Sequence, residues 1–213
     1  MKIFGSLISP YVRKVHVVAA EKGIAVEGAG ANPRDPSPEF AKASPFRKIP
    51  AMLDGDFGLP DSTAIVTYFD ALQPEPPLVS GDAKQKALAV WFEEFADTIL
   101  FGSGIKVVFN RFVAPKILGF PGNTDLAEQG EKELVAILDY LESVAPAEGW
   151  LSGGEFSIGD LSVACMLKSL NYVSPTPNPA THPRTAAWYA RATARPAWAK
   201  VAEQEAAQMA AFV

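Results

Sequence analysis

Cysteine is almost missing from this chain. Cys165 is the only one in 213 residues, so no disulfide can form within it, and a reducing compartment is the setting that fits. It lies in an apolar stretch with helical spacing, where a lone thiol is a small buried hydrophobe. Histidine is nearly as scarce. His16 and His182 stand alone, with no Cys, Asp or Glu at ligand spacing, so no metal is expected. No run approaches the about 18 uncharged apolar residues that a membrane span needs. The start is no secretory signal either, because Ser6, Ser9 and Pro10, then Arg13 and Lys14, break its apolar run. Positive charge is not in excess. A net charge of −5 argues against a general nucleic-acid binder, while leaving room for a local basic pocket that takes an acidic small molecule. Gly28 and Gly30, followed by Pro33, fail the G-x-G-x-x-G spacing of a dinucleotide site. The expectation is a cytoplasmic protein with neither membrane nor nucleic acid as partner.

What is present is core-forming sequence. Hydrophobic residues make up 48% and charged residues 20%, enough to bury a sizeable interior in one or two domains. Residues 2–6 read as a strand. Helical spacing takes over after Ser9-Pro10, with Tyr11, Val15 and Val18 on one stripe and Gly23 as a stop. A second short strand is expected at 25–27. Residues 32–50 hold five prolines and read as irregular, with at most a short helix near 39–43. Residues 51–53, the Asp54-Gly55 turn and 57–59 form a β-hairpin pattern, and a helix follows over 62–72. The order is βαβ, an irregular crossing, then ββα. Residues 73–78 are proline-rich and read as a linker. Beyond it only helical patterns appear, at 83–101, 126–144, 158–171 and 185–211. Two domains follow, about 1–76 and 84–213.

Three short strings could carry chemistry. Ser9-Pro10 sits at a strand-to-helix junction. Its plain reading is an N-cap followed by a first-turn proline. The same geometry stabilises an anion, so a thiolate placed there would have its pKa lowered, with the serine hydroxyl donating one more bond. Lys48-Ile49-Pro50 holds Ile49 extended before a proline. Were that bond cis, the Ile49 backbone would be left as a short edge with which a peptide could pair. Asp61-Ser62 opens a helix right after the hairpin. A capped helix is the common case, but N–H groups and hydroxyls there also suit a carboxylate, and Asp61 an ammonium group.

Taken in order and at these distances, the three strings resemble the glutathione transferase family. That family's first domain carries a serine, cysteine or tyrosine after the first strand, a cis valine- or isoleucine-proline, and an acidic residue plus serine opening the third helix. The string Ser-Pro-Tyr-Val-Arg-Lys resembles the bacterial serine-bearing relatives, and Ser9 matches the position where omega-like members carry cysteine. Phe156-Ser157-Ile158-Gly159-Asp160-Leu161 is a capping box with a hydrophobic staple. The family has such a box, usually with alanine where Gly159 stands. His182-Pro183, Trp188, Arg191 and Arg195-Pro196 resemble its closing helical segment.

The resemblance implies a thioredoxin-like βαβ–ββα domain with Ile49-Pro50 cis, packed on an all-helical domain. It implies glutathione as co-substrate and an electrophilic, mostly apolar second substrate. Ser9 would face the sulfur and the Ile49-Pro50 backbone would pair with the cysteinyl part. Asp61 and Ser62 would hold the γ-glutamyl end, and Lys48 would meet the glycine carboxylate. A homodimer is expected by the same analogy. Ser6 at the strand end is a rival to Ser9. Tyr11, inside the helix, reads as packing. Trp91, Phe92, Phe95, Phe101, Phe109 and Phe112 supply core, and some of them could line the second-substrate pocket. A scaffold with a vestigial pocket is the alternative. A glutathione-dependent reductase or peroxidase is another, but a reductase would want cysteine at position 9.

Overall fold

The computed structural model describes residues 1–210 and divides into two compact units. The first holds Met1–Pro77 together with residues 195–210, and the second holds Leu78–Ala194.

The first unit follows the βαβ–ββα order. Its elements are β1 (Lys2–Phe4), α1 (Pro10–Glu21), β2 (Glu27–Ala29), α2 (Pro38–Ala43), β3 (Ala51–Asp54), β4 (Phe57–Pro60) and α3 (Ser62–Leu72). The sheet order is β2-β1-β3-β4, with β1 parallel to β2 and antiparallel to β3. β2 lies two residues later than its sequence pattern implies. Pairing with β1 sets its register, placing Gly28 opposite Ile3, and His16 of α1 lies 3.7 Å from where a Gly28 side chain would begin. Phe4, Phe40, Ala43, Ala51 and Leu53 form an apolar cluster on which Ile49 packs. Phe4 and Phe40 meet ring to ring at 5.6 Å.

Lys22, just past α1, has a fully buried side chain. Its ammonium donates to the carbonyls of Gln73 and Pro76, both at 2.8 Å, and pairs with Asp70 at 2.7 Å. Three oxygens offset the cost of burying that charge, and the proline-rich stretch after α3 is thereby fastened to α1.

The sequence groups the last helix with residues 84–213. In the structure α9 (Pro196–Met209) packs along α1 in the first unit. Ala211, where the pattern ends the helix, lies outside the described residues.

In the second unit the helical path from α4 (Ala83–Glu94) is unbroken to Leu118. It passes through a π-helical segment at Phe95–Leu100, α5 (Phe101–Val108) and a second π segment at Phe109–Leu118. In the sequence, Gly102, Gly104 and Pro115 suggest irregular helices here. Both glycines sit within α5, while Pro115, which has no N–H to give, falls in the second π segment. Then come α6 (Thr124–Val144), α7 (Ile158–Leu170) and α8 (Pro183–Thr193). Every residue of α7 except Lys168 is buried, Cys165 included.

The capping box at the start of α7 forms as its sequence indicates. Asp160 Oδ2 accepts from the Ser157 N–H and hydroxyl, while Oδ1 accepts from the Leu151 N–H and the Trp188 indole, the last two at 2.8 Å. Burial pushes the Asp160 carboxyl above its ordinary range, and the four bonds pull the other way. Gly159 explains itself here. A Cβ at this position would sit 2.7 Å from both the Ala89 carbonyl oxygen and Phe92 Cβ, so α4 and α7 approach more closely than an alanine allows.

Candidate functional site

The sheet register gathers the three strings. Phe4 pairs with Ala51, which in turn pairs with Pro60. The loop after β1, the residues before β3 and the residues after β4 therefore emerge at the same end of the sheet. α1 and α3 both begin there.

The loop after β1 is tightly held. Gly5 has φ +131°, and a Cβ on it would lie 2.6 Å from Val12 and 3.2 Å from the Cβ of Ile49. Only glycine fits both the backbone and the space. Ser6 is engaged: its hydroxyl donates to Gln208 Oε1 at 3.2 Å and accepts from the Ile8 N–H at 3.4 Å. The Ser9 N–H donates to the Ser6 carbonyl at 3.0 Å, and the Ser9 carbonyl accepts from the Arg13 N–H at 3.0 Å. The Ser9 side chain makes no capping bond to the first turn of α1. Its hydroxyl has no hydrogen-bond partner among the described residues. Of the two serines, Ser9 is the one with a hydroxyl to spare. Tyr11 lies inside α1, 5.9 Å from the Lys14 ammonium measured to its ring centre.

Ile49-Pro50 is cis. Ser44 sets up the approach to it, its buried hydroxyl accepting from the Lys48 N–H and donating to the Lys48 carbonyl, both at 2.8 Å. Arg47 adopts a left-handed φ of 57° in this turn. Among the described residues no hydrogen bond reaches the N–H or carbonyl of Ile49, and no carboxylate pairs with the exposed Lys48 ammonium. One residue of bare backbone edge is left.

Asp61 is the N-cap of α3. Its Oδ1 accepts from the N–H groups of Thr63 at 2.9 Å and Ala64 at 3.1 Å. It does so at φ +80°, a region that costs a non-glycine residue about 1–3 kcal/mol and is commonest at working sites. Ser62 is 3% exposed, and its hydroxyl has no partner among the described residues. The hydroxyl oxygen itself is not cut off from solvent, so an arriving ligand oxygen can replace water on it.

Residues 3–77 match the N-terminal domain family of glutathione S-transferases, and residues 124–191 match the C-terminal domain family. Glutathione S-transferase 3 of Zea mays is 31% identical over 94% of this chain and 92% of its own length. The chain belongs to the glutathione S-transferase family. A glutathione S-transferase of Hyoscyamus muticus is 30% identical over 95% of this chain and 98% of its own. The crystal structure of glutathione transferase F2 from Populus trichocarpa superposes with a TM-score of 0.84, covering 97% of this chain and 99% of that one at 23% identity. That likeness is one of fold.

The described residues of this glutathione S-transferase include no group of three or more His, Cys, Asp or Glu that could hold a metal ion. Among them no helix is long and apolar enough to cross a membrane. The aromatic stretch divides by exposure. Phe92 and Phe95 are buried, Trp91 donates its indole N–H to the Tyr140 hydroxyl at 3.1 Å, and Phe112 stacks on Tyr172 at 4.7 Å. The sequence gives no hint of Ser44 as the clasp of Lys48 or of Gln208 on the Ser6 loop. The first contact spans four residues without a periodic signature, and the second spans 202.

Proposed function

We propose that this glutathione S-transferase binds glutathione along the end of the sheet where the three strings meet, and uses Ser9 to keep its sulfur as a thiolate. The bare Ile49 backbone would pair with the cysteinyl residue of the peptide as one added rung of sheet. Ser62 and Asp61 would take the γ-glutamyl carboxylate and ammonium. Lys48 would meet the glycine carboxylate. The sulfur then lies at the N-terminal end of α1, where the helix dipole and the Ser9 hydroxyl favour the anion. A free thiol titrates near pH 8.5, so a shift of about two units makes the thiolate dominant at neutrality. The thiolate lone pair attacks an electrophilic carbon of a mostly apolar molecule. A C–S bond forms, and either a leaving group departs with its electron pair or an activated double bond takes up a proton.

One observation carries the choice of Ser9. Its hydroxyl is free of the helix cap, whereas that of Ser6 is bonded to Gln208. The test is the thiolate absorbance of bound glutathione against pH. Ser9→Ala is expected to raise the thiol pKa and lower kcat with little change in glutathione affinity. It should not carry the cost of a lost N-cap, about 1 kcal/mol, because no cap bond exists. A shift in Ser6→Ala alone would move the role to Ser6, and no shift in either variant would leave thiol activation to the helix end and backbone.

The same reading places the enzyme in the cytoplasm as a homodimer that detoxifies electrophiles. The ring of Phe46, 84% exposed just ahead of the Lys48 turn, is apolar surface that a second copy would cover. Sedimentation of wild type and Phe46→Ser checks this: a monomeric wild type rules out the dimer, and a variant that dimerises unchanged rules out that contact.

A further inference from the structure

The loop that carries Ser9 is held from the far end of the chain. Gln208 Oε1, on the last turn of α9, accepts two bonds, from the Leu7 N–H at 3.0 Å and from the Ser6 hydroxyl at 3.2 Å. Three residues earlier on the same helix face, Glu205 accepts from Arg13 Nε at 2.7 Å. Both side chains are buried, at 4% and 1% exposure. The Arg13 guanidinium also reaches the Ile8 carbonyl at 3.4 Å. Ile8 immediately precedes Ser9. A third tie lies at the other end of the helix pair, where Arg195 forms a two-pronged bond to Glu21 at 2.6 and 2.8 Å. Residues 6, 7 and 8 are thus each fixed, directly or through Arg13, by α9, while the Ser9 hydroxyl they position has no hydrogen-bond partner among the described residues. A group that must meet a sulfur to within a fraction of an ångström needs its supporting residues locked.

From this arrangement we infer that Gln208 is a positioning residue for the Ser9 hydroxyl, acting as a double hydrogen-bond acceptor for the loop after β1. The inference rests on the proposed role of Ser9. It assigns to α9, whose motif lies far from the three strings, a part in the chemistry of the first unit. What the loop requires of position 208 is an acceptor oxygen. Glutamate supplies one in the same place. Methionine, of nearly the same length and helix preference, does not.

The experiment compares Gln208→Met, Gln208→Glu, Ser9→Ala and the double variant Ser9→Ala/Gln208→Met in the full-length protein. It reads the pH titration of the bound glutathione thiolate together with kcat and the KM for glutathione. Gln208→Met is expected to move the thiol pKa in the same direction as Ser9→Ala and to lower kcat by up to about a hundredfold, the scale of one misplaced catalytic hydrogen bond. The KM for glutathione should change less than threefold. Gln208→Glu should restore both quantities. The double variant should titrate like Ser9→Ala alone, because a residue that works through Ser9 has nothing left to position once the hydroxyl is gone. Four results would overturn the inference. Gln208→Met could titrate as wild type while Ser9→Ala shifts, which leaves the proposed function standing. Gln208→Glu could behave like Gln208→Met. The two losses could add in the double variant, which marks α9 as general support for the fold. Finally, a Ser9→Ala protein that titrates as wild type removes the role of Ser9 itself, and this inference with it.

Discussion

The N–H of Asp61 donates to the carbonyl of Pro50 at 3.2 Å, so the turn before β3 and the start of α3 are held as one piece. Asp61 has two duties that a substitution can separate. Its Oδ1 caps α3 whether or not the group is charged, and asparagine offers the same oxygen on a side chain of the same size. Asp61→Asn should therefore keep the stability of wild type by chemical denaturation. Its affinity for glutathione should fall by about 1.5–3 kcal/mol, the value of a bond to a charged group. Asp61→Ala should lose both. Equal glutathione affinity of Asp61→Asn and wild type in calorimetry would remove the ammonium from this position.

Ser62→Ala is expected to weaken glutathione binding by about 1–3 kcal/mol while leaving stability unchanged or improved, because the hydroxyl has no partner in the free protein. Lys48→Ala should weaken binding too, most at low ionic strength, since an exposed ammonium is screened by salt. Calorimetry at two salt concentrations tests both. A Lys48 variant with the same salt dependence as wild type would mean that this ammonium does not meet the ligand.

Gly159→Ala installs the residue common elsewhere in the family. Here it would press on a backbone carbonyl and on Phe92 Cβ, neither of which can swing aside. A loss of about 1–3 kcal/mol is the expected cost of such overpacking, read from denaturant midpoints. An unchanged midpoint would mean that α4 gives way without cost.

Much of this was legible from local pattern. The Ser9, Ile49-Pro50 and Asp61-Ser62 strings were readable because each is a short segment whose residue types answer to one backbone need. The Ser157 capping box was readable for the same reason. The place of β2 was not, because its register is set by β1, and neither Gly28 nor Gly30 offers a side chain whose alternation could betray it. The unbroken helical path over residues 102–118 was obscured because glycine and proline weaken a helix, while here α5 holds both glycines and π turns carry Pro115. The attachment of α9 to α1 was hidden for a different reason. Arg13 and Glu205 each look like a solvated charge on an amphipathic helix, and only the fold makes them a buried pair.

His16 gives the first unit a dependence on pH. It is 7% exposed, and burial lowers its pKa from 6.5 to about 4. Between those values the unfolded chain binds a proton that the native chain refuses, so stability rises with pH across this window and is lost as pH falls through it. Integrated over the window the effect approaches about 3 kcal/mol. His16→Gln, which cannot charge, should flatten the denaturation midpoint between pH 6.5 and 4 relative to wild type. Parallel pH profiles for the two proteins would mean that His16 is protonated in the native state without penalty.

The pairing of Arg13 with Glu205 spans 192 positions, and this sets an order of events at the ribosome. The sheet and α1 emerge early, with all four strands synthesised by Pro60. The Arg13 guanidinium then lacks Glu205, and the loop around Ser9 lacks Gln208. Until α9 leaves the exit tunnel, the nascent first unit is without the carboxylate that faces Arg13 in the finished protein.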